Sequence, residues 1–544
     1  MVERPRSLSR WTICVLVAAA LLPEGGGGAT ALGRGTFNAL DEFSGQPETI
    51  LRGHPPIVRV QHAVSSLQRR RSQLSWHYNQ VVRSCDLLLV EAELADGRLA
   101  ILQYNDGEAM AEVLAAMHDF GGQAEVLSSA CSFISSMSMG RDARVVLARL
   151  GAVDLIVAAV KAHPENAVLL ERACGALINL AIDRSISAAI GAAGGIRAVL
   201  QAVSFATAGL AEVSREKEES VQRLRGVLKF GLAALANLAA VSSNADIIGE
   251  EDGISMIIEA VSMAFAEDVE QYAETIMHAA ELLQNVASGA QNRQRIVKSG
   301  GADLLARIVL RVDATSPEIG PGDIHGASMM LFAKLLADVD TRSAVLDMEA
   351  DESILPLVFE SMELYRSHAK AQESGCRLVS TLCSIAESSS DVFAAQLHTY
   401  SQHYSRLSAR ALEHHGASHE GVAEACRAVC EQLLELRCMP RFRNLGQAGL
   451  PVKPLHGDGQ RRHGINDVED PGSESAVPII LHELAQASFG VQAELACQKL
   501  IELVEHEAGA MAAFNALHPL MRWCECRKPL DSRFDALSPN RTKW

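Results

Sequence analysis

The chain has 544 residues, 48% of them hydrophobic but only 4% aromatic, so it can bury a large core of Ala, Leu, Val and Ile, which suit helix–helix contact better than broad sheets. Its formal net charge of −17 excludes nucleic acid as the default partner, because phosphate binding needs a basic footprint. No P-loop, G-x-S-x-G or H-E-x-x-H string occurs, so no sequence signature calls for a cofactor or an enzyme.

At the N-terminus, Arg4, Arg6 and Arg10 precede an apolar run from Trp11 to Leu22, followed by Pro23, Gly25–Gly28 and Ala29-Thr30-Ala31. A basic region, a short apolar stretch and an A-x-A site predict a signal or targeting leader over residues 1–31, removed after Ala31 on a secretory or organellar route. The other reading is a Gly-rich leader kept by a cytoplasmic chain. The run is too short to span a bilayer, and no other segment approaches that length, so no transmembrane segment is expected in the mature chain.

Residues 32–56 are rich in Gly and Pro and read as flexible. Over 57–96, Val60, Val64, Leu67, Leu74, Val81 and Leu88 recur at helical spacing, which predicts amphipathic helices lying against the first repeat. Residues 97–438 form a repeat array. Residues 439–476, with Pro440, Pro451, Pro454 and several Gly, read as a disordered loop. Residues 477–528 return to the pattern as a final repeat or cap, and 529–544 form a tail.

The array rests on three strings. Asn179 lies in ACGALINLA, Asn237 in LAALANLAA and Asn285 in AELLQNVAS, and Gly194, Asp252 and Gly300 each stand 15 residues later. Aligning the long helices on this register gives Ser136, Asn179, Asn237, Asn285, Lys334, Thr381, Glu431 and Glu502, with gaps of 43, 58, 48, 49, 47, 50 and 71. Self-similarity at roughly 40–47 residues marks stacked helical repeats. The expected fold is therefore all-α, with about eight degenerate units and no alternating strand pattern. Of the twelve Cys, five (Cys131, Cys174, Cys376, Cys426 and Cys497) share one repeat position. They read as small buried hydrophobes; bridges are not expected, since equivalent positions of stacked repeats lie roughly a helix diameter apart.

These strings, each followed by a polar corner and a helix start such as GGIRAVL, DGISMII or GGADLLA, resemble the armadillo-repeat family. The resemblance is strongest over 143–310. It implies a right-handed superhelix of three-helix units whose third helices line a concave groove. It also implies a non-catalytic scaffold that binds a protein partner, as an extended peptide segment or a partner helix. A regulatory or docking subunit of an enzyme complex is the alternative. Carried over by position, Asn179, Asn237 and Asn285 would hydrogen-bond a bound peptide backbone, since a primary amide offers donors and an acceptor together. The competing reading gives each Asn to neighbouring backbone at a helix end or between repeats. Lys334, Thr381, Glu431 and Glu502 interrupt this ladder.

Nuclear-import adaptors of the family carry Trp four residues before the Asn; here those positions are Gly175, Ala233 and Glu281, so that role is not expected. The groove is expected to be acidic to neutral. His414, His415 and His419 form the nearest metal-like string, with Cys524 and Cys526 beside His518 a weaker one. Both read as non-metal, because Gly416 weakens the first as a helix and C-x-C alone is a poor ligand set.

Overall fold

The computed structural model describes residues 55–71, 78–212, 218–268, 270–312, 321–347, 354–386 and 391–438. The stretches read from the sequence as a leader, a flexible segment, a loop after Cys438 and a final repeat with Cys497 and Glu502, and the Cys524–Cys526 string, lie wholly or mostly outside the described residues. The described residues are all-α and form 22 α-helices and one 3-10 turn. They fall in two compact units, Met1–Ala264 and Phe265–Trp544. The architecture is an armadillo-like helical solenoid of three-helix repeats.

The first unit opens with α1 (Pro56–Arg71) and α2 (Tyr78–Glu93). Next come α3 (Ala95–Gln103), the turn Tyr104–Gly107, α4 (Glu108–Asp119) and α5 (Ala124–Met137). One repeat is α6 (Arg141–Arg149), α7 (Ala152–Ala162) and α8 (Ala167–Leu180). Another is α9 (Arg184–Ala192), α10 (Gly195–Glu212) and α11 (Glu218–Leu238). Then come α12 (Ser242–Glu250) and α13 (Gly253–Glu267), the latter containing the unit boundary. The long helices α2, α5, α8 and α11 pack in sequence, each against the next.

The second unit holds α14 (Ala273–Val286), α15 (Ala290–Lys298), α16 (Gly301–Arg311) and α17 (Pro321–Ala337). It continues with α18 (Val339–Leu346), α19 (Ile354–Leu364) and α20 (Ala369–Ala386), and closes on α21 (Asp391–His415) and α22 (Glu420–Cys438). Here α14, α17, α20 and α22 stack in turn.

A long helix flanked by two others is buried nearly all round. In α8, Leu169, Leu170, Ala173, Cys174, Ala176, Leu177, Ile178 and Leu180 are buried, and Val168, Glu171, Arg172 and Gly175 keep an outward stripe. That stripe has the i, i+3, i+4, i+7 spacing of one helix face.

The corners explain the sequence register. Gly151, Gly194, Asp252 and Gly300 have φ of 85°, 80°, 56° and 74°. Each lies 15 residues after Ser136, Asn179, Asn237 or Asn285, where the first helix of a repeat turns into the second. A left-handed residue closes the first helix, and Gly adopts it without a Cβ clash, while Asp is among the few others that tolerate it. The corner disappears late in the array: α21 runs unbroken through Gln396, 15 residues after Thr381.

A second corner joins each long helix to the next repeat. Arg144 donates to the carbonyls of Ser138 (2.7 Å) and Met139 (3.3 Å). Arg98 does the same to Ala92 and Glu93, and Arg293 to Ala287 and Ser288. Asn244 reaches Leu238, Thr341 reaches Leu335 and Arg342 reaches Leu336. In all six cases a donor on the first helix lies six residues beyond a carbonyl at the long helix's end. Cations there also complement the negative end of the helix dipole.

The bridge expectation is corrected at one place. Cys376 and Cys426, equivalent residues of α20 and α22, form a disulfide with Cα atoms 5.2 Å apart. Gly421 of α22 stands beside this contact, where a Cβ would sit 2.7 Å from the Glu373 carboxylate of α20. Cys131, Cys174 and Cys383 remain buried thiols, and burial pushes all three up to about 12.

Arg144→Met is expected to cost about 2 kcal/mol, the worth of charged hydrogen bonds to buried acceptors. The readout is a lower urea midpoint with faster amide exchange at residues 138–140. Arg197→Met, which breaks an exposed pair with Glu251, is expected to leave the midpoint unchanged.

Candidate functional site

The outward stripes of the long helices form one face in each unit. In the first unit, α5 contributes Glu125, Ser128, Ser129, Ser132, Ser135 and Ser136, and α8 contributes Glu171, Arg172 and Gly175. From α11 come Gln222, Arg223, Arg225, Gly226, Lys229 and Asn237. Basic side chains stand on this face beside the acidic ones. Ser128 and Ser132 turn their hydroxyls back onto the carbonyls of Ala124 and Ser128, at 2.7 and 3.1 Å.

The ladder positions bind one long helix to the one before it. Asn179 Nδ2 donates to the Ser135 carbonyl at 2.9 Å and lies 3.2 Å from Ser135 Oγ. Asn237 Nδ2 donates to the Ile178 carbonyl at 3.0 Å. In the second unit Lys334 Nζ donates to the Gln284 carbonyl at 2.7 Å. Each acceptor is the residue just before the ladder position of the preceding long helix.

These acceptors are those the helix ends leave unmatched. At the end of α5, the carbonyls of Ile134, Ser136 and Met137 accept from Ser138, Met139 and Gly140; Ser135 accepts from Asn179. At the end of α14, Leu283, Asn285 and Val286 accept from Ala287, Ser288 and Gly289; Gln284 accepts from Lys334. A helix cannot satisfy its last four carbonyls internally, and here the next repeat completes the set. Asn179 is consequently 6% exposed, while Asn237 and Asn285 are half-buried. Burial lowers the Lys334 pKa, with nearby Arg293 adding to it. Thr381 departs from the ladder: its hydroxyl turns back to the Arg377 carbonyl in its own helix.

Ion pairs lace neighbouring long helices across glycines. Glu171 meets Arg223 at 3.5 Å, and a Cβ at Gly226 would sit 2.8 Å from the Glu171 carboxyl carbon. In the second unit Lys370 Nζ lies 2.6 Å from Glu281 and 3.3 Å from Asp323. Lys370 belongs to α20, Asp323 to α17 and Glu281 to α14, so one ammonium ties three long helices together. His368 stands 3.7 Å from Asp323, and His278 3.9 Å from Glu281. Burial pushes Glu281 and Asp323 upward, but His278, His368 and Lys370 outweigh it and hold both carboxyls below their ordinary values. The same carboxylates raise Lys370 against the opposing effect of burial. Sequence reasoning singled out Glu281 as a groove position and missed its partner Lys370, 89 residues away, and Asp323, the second carboxylate on that ammonium. The role of Lys334 was within reach, because a long donor stands at the ladder register.

The histidine string is taken up locally. His414 bonds the Arg410 carbonyl, His415 the Arg366 carbonyl and His419 the Ser418 hydroxyl. Among the described residues no group of three or more His, Cys, Asp or Glu could hold a metal ion, and no single helix is long and apolar enough to cross a membrane.

No family model and no curated protein matches the sequence. Among solved structures, the chain is similar to an engineered protein at 19% identity, covering 51% of this chain and 95% of that one, with a TM-score of 0.39. It is similar at 14% identity to a chain from the structure on a phosphorylation switch controlling the interaction between cadherin and beta-catenin, covering 96% and 100%, with a TM-score of 0.36. SYS-1 in complex with POP-1 matches at 13% identity over 77% of each chain, with a TM-score of 0.41.

Asn179→Ala is expected to strand the Ser135 carbonyl at a cost of about 1–3 kcal/mol, visible as an earlier chemical unfolding transition. The ion network predicts a pH window. Depressed carboxylates add stability that is complete above their ordinary values and fades as pH falls through the lower folded values; a raised lysine adds stability that fades as pH rises through its folded value. The melting-temperature gap between wild type and Glu281→Gln should therefore be widest between the ordinary values of 4.5 and 10.5, and close towards either extreme. A gap independent of pH would contradict this.

Proposed function

We propose that the chain is a non-catalytic protein-interaction scaffold that holds an extended polypeptide segment along its long-helix face. The observation that carries this reading is the ladder geometry. At Asn179 and Asn237 the amide Nδ2 is committed to a carbonyl of the preceding helix, and no donor among the described residues reaches Oδ1. An acceptor fixed in place by its own Nδ2 is pre-organised for the N–H of a bound backbone, which lowers the ordering cost of binding. Asn237, half-buried, offers this acceptor more openly than Asn179. The two readings of the Asn ladder are then compatible: the nitrogen serves the stack and the oxygen serves the ligand. Ser128, Ser132, Gln222 and Lys229 supply further polar contacts on the same stripes.

The test uses a photo-crosslinking side chain at Lys229 on this face, with Arg197 on a second helix as the control position. A protein partner should crosslink at Lys229 and not at Arg197. Its affinity should then fall about fivefold for Asn237→Ala, the worth of one backbone hydrogen bond of about 1 kcal/mol, measured where circular dichroism shows the variant folded. Crosslinking only at Arg197, or unchanged affinity of Asn237→Ala, would defeat the proposal.

A further inference from the structure

We infer that the Cys376–Cys426 bond is a redox-operated latch between α20 and α22, opened from within the chain by Cys430. Cys430 lies one turn beyond Cys426 on α22, and residues four apart share a helix face. Helix geometry puts their Cα atoms about 6 Å apart, inside the range that a disulfide spans. The two bonded cysteines are 0% exposed, so a dissolved thiol does not reach them while the chain is folded. Cys430 is a half-buried thiol, within reach of water and of small thiols. Ser408 of α21 is fully buried, and its Oγ lies 3.6 Å from Cys376 Sγ. The Ser408 hydroxyl is therefore placed to donate to Cys376 when that sulfur leaves as a thiolate.

The chemistry is thiol–disulfide exchange. The Cys430 thiolate attacks Cys426 Sγ, and a 426–430 bond forms as the 376–426 bond breaks. The electron pair of the broken bond leaves on Cys376, which takes up a proton in place of the one Cys430 gave up. No electron enters or leaves in this step, so it needs neither oxidant nor reductant. A small thiol of the glutathione class then attacks the 426–430 bond and forms a mixed disulfide with one of its sulfurs. A second such thiol releases glutathione disulfide and leaves both cysteines as thiols, so two electrons pass from two glutathiones to the protein. The latch closes a loop with a sequence separation of 50 that contains α21. Without it, α22 rests on Val422, Ala423, Ala425, Val429 and Leu433, which are buried, and on Gln432 Nε2 donating to Ser384 Oγ at 3.3 Å. Opening the latch loosens α22 from α20 and lowers the local cost of opening this stretch of the stack.

The test follows the 376–426 bond in the full chain on exposure to reduced glutathione, with acid quenching, alkylation and peptide mass spectrometry. Arg427 lies between Cys426 and Cys430, so trypsin separates the two residues and a 426–430 link shows as a joined peptide pair. A thiol held one turn away acts at a high effective concentration, and wild type should lose the 376–426 bond about tenfold faster than Cys430→Ser. The 426–430 pair should appear transiently in wild type. Ser408→Ala should slow the loss, and Cys383→Ala should leave it at the wild-type rate. Equal rates in wild type and Cys430→Ser, or no 426–430 pair at any time, would overturn the inference. Amide exchange gives a readout that needs no variant: reduction should speed exchange over residues 420–433 and leave 167–180 unchanged. Unchanged exchange over 420–433 would overturn the latch.

Discussion

An α-helix ends with carbonyl oxygens that its own backbone cannot satisfy, and in this protein that deficit is met from the next repeat. Local turns match most of the terminal carbonyls of α5 and α14, and a side chain one repeat on supplies the donor for the remaining one. Such a bond lies partly out of water, so leaving it unmade costs more than making it gains. Each repeat therefore needs its successor to close its longest helix. This is a polar counterpart of the hydrophobic rule that one repeat cannot bury its face alone.

The same logic shapes the corners. Arg144 and Arg293 cap the ends of α5 and α14 from the first helix of the following repeat. Arg293 also pairs with Asp338, which caps the next first helix along. Asp183 holds the equivalent N-cap in the first unit, accepting from Ser185 and Ile186, and its charge acts on Arg144. A cation at a helix C-terminus and an anion at a helix N-terminus each oppose the local dipole, and at these corners the two compensate one another.

Small residues set how closely the long helices approach, and close approach decides the chemistry of what lies between them. At one repeat position Cys376 meets Cys426 as a disulfide, while Cys131 and Cys174 stay as buried thiols. Glycine also admits a charged stem, as Gly226 does for Glu171, where a Cβ would sit 2.8 Å from the carboxyl carbon. A larger residue at these points would separate carboxylates from their cations and leave half-buried charges unpaired.

By itself the sequence determined the helical class, the repeat register and the corners. These are local matters: apolar spacing fixes which face of a helix is buried, and a residue needing positive φ marks a turn wherever it falls, as at Gly194, Asp252 and Gly300. It also marked the ladder positions, because donors recur there in phase. Only the tertiary structure decided what those donors hold. Asn179 reaches Ser135 across 44 residues and Lys370 reaches Glu281 across 89, and no local pattern encodes such distances. The disulfide belongs to the same class: equal repeat position brought two cysteines into line, but the 5.2 Å separation of their Cα atoms, a tertiary matter, decided that they bond.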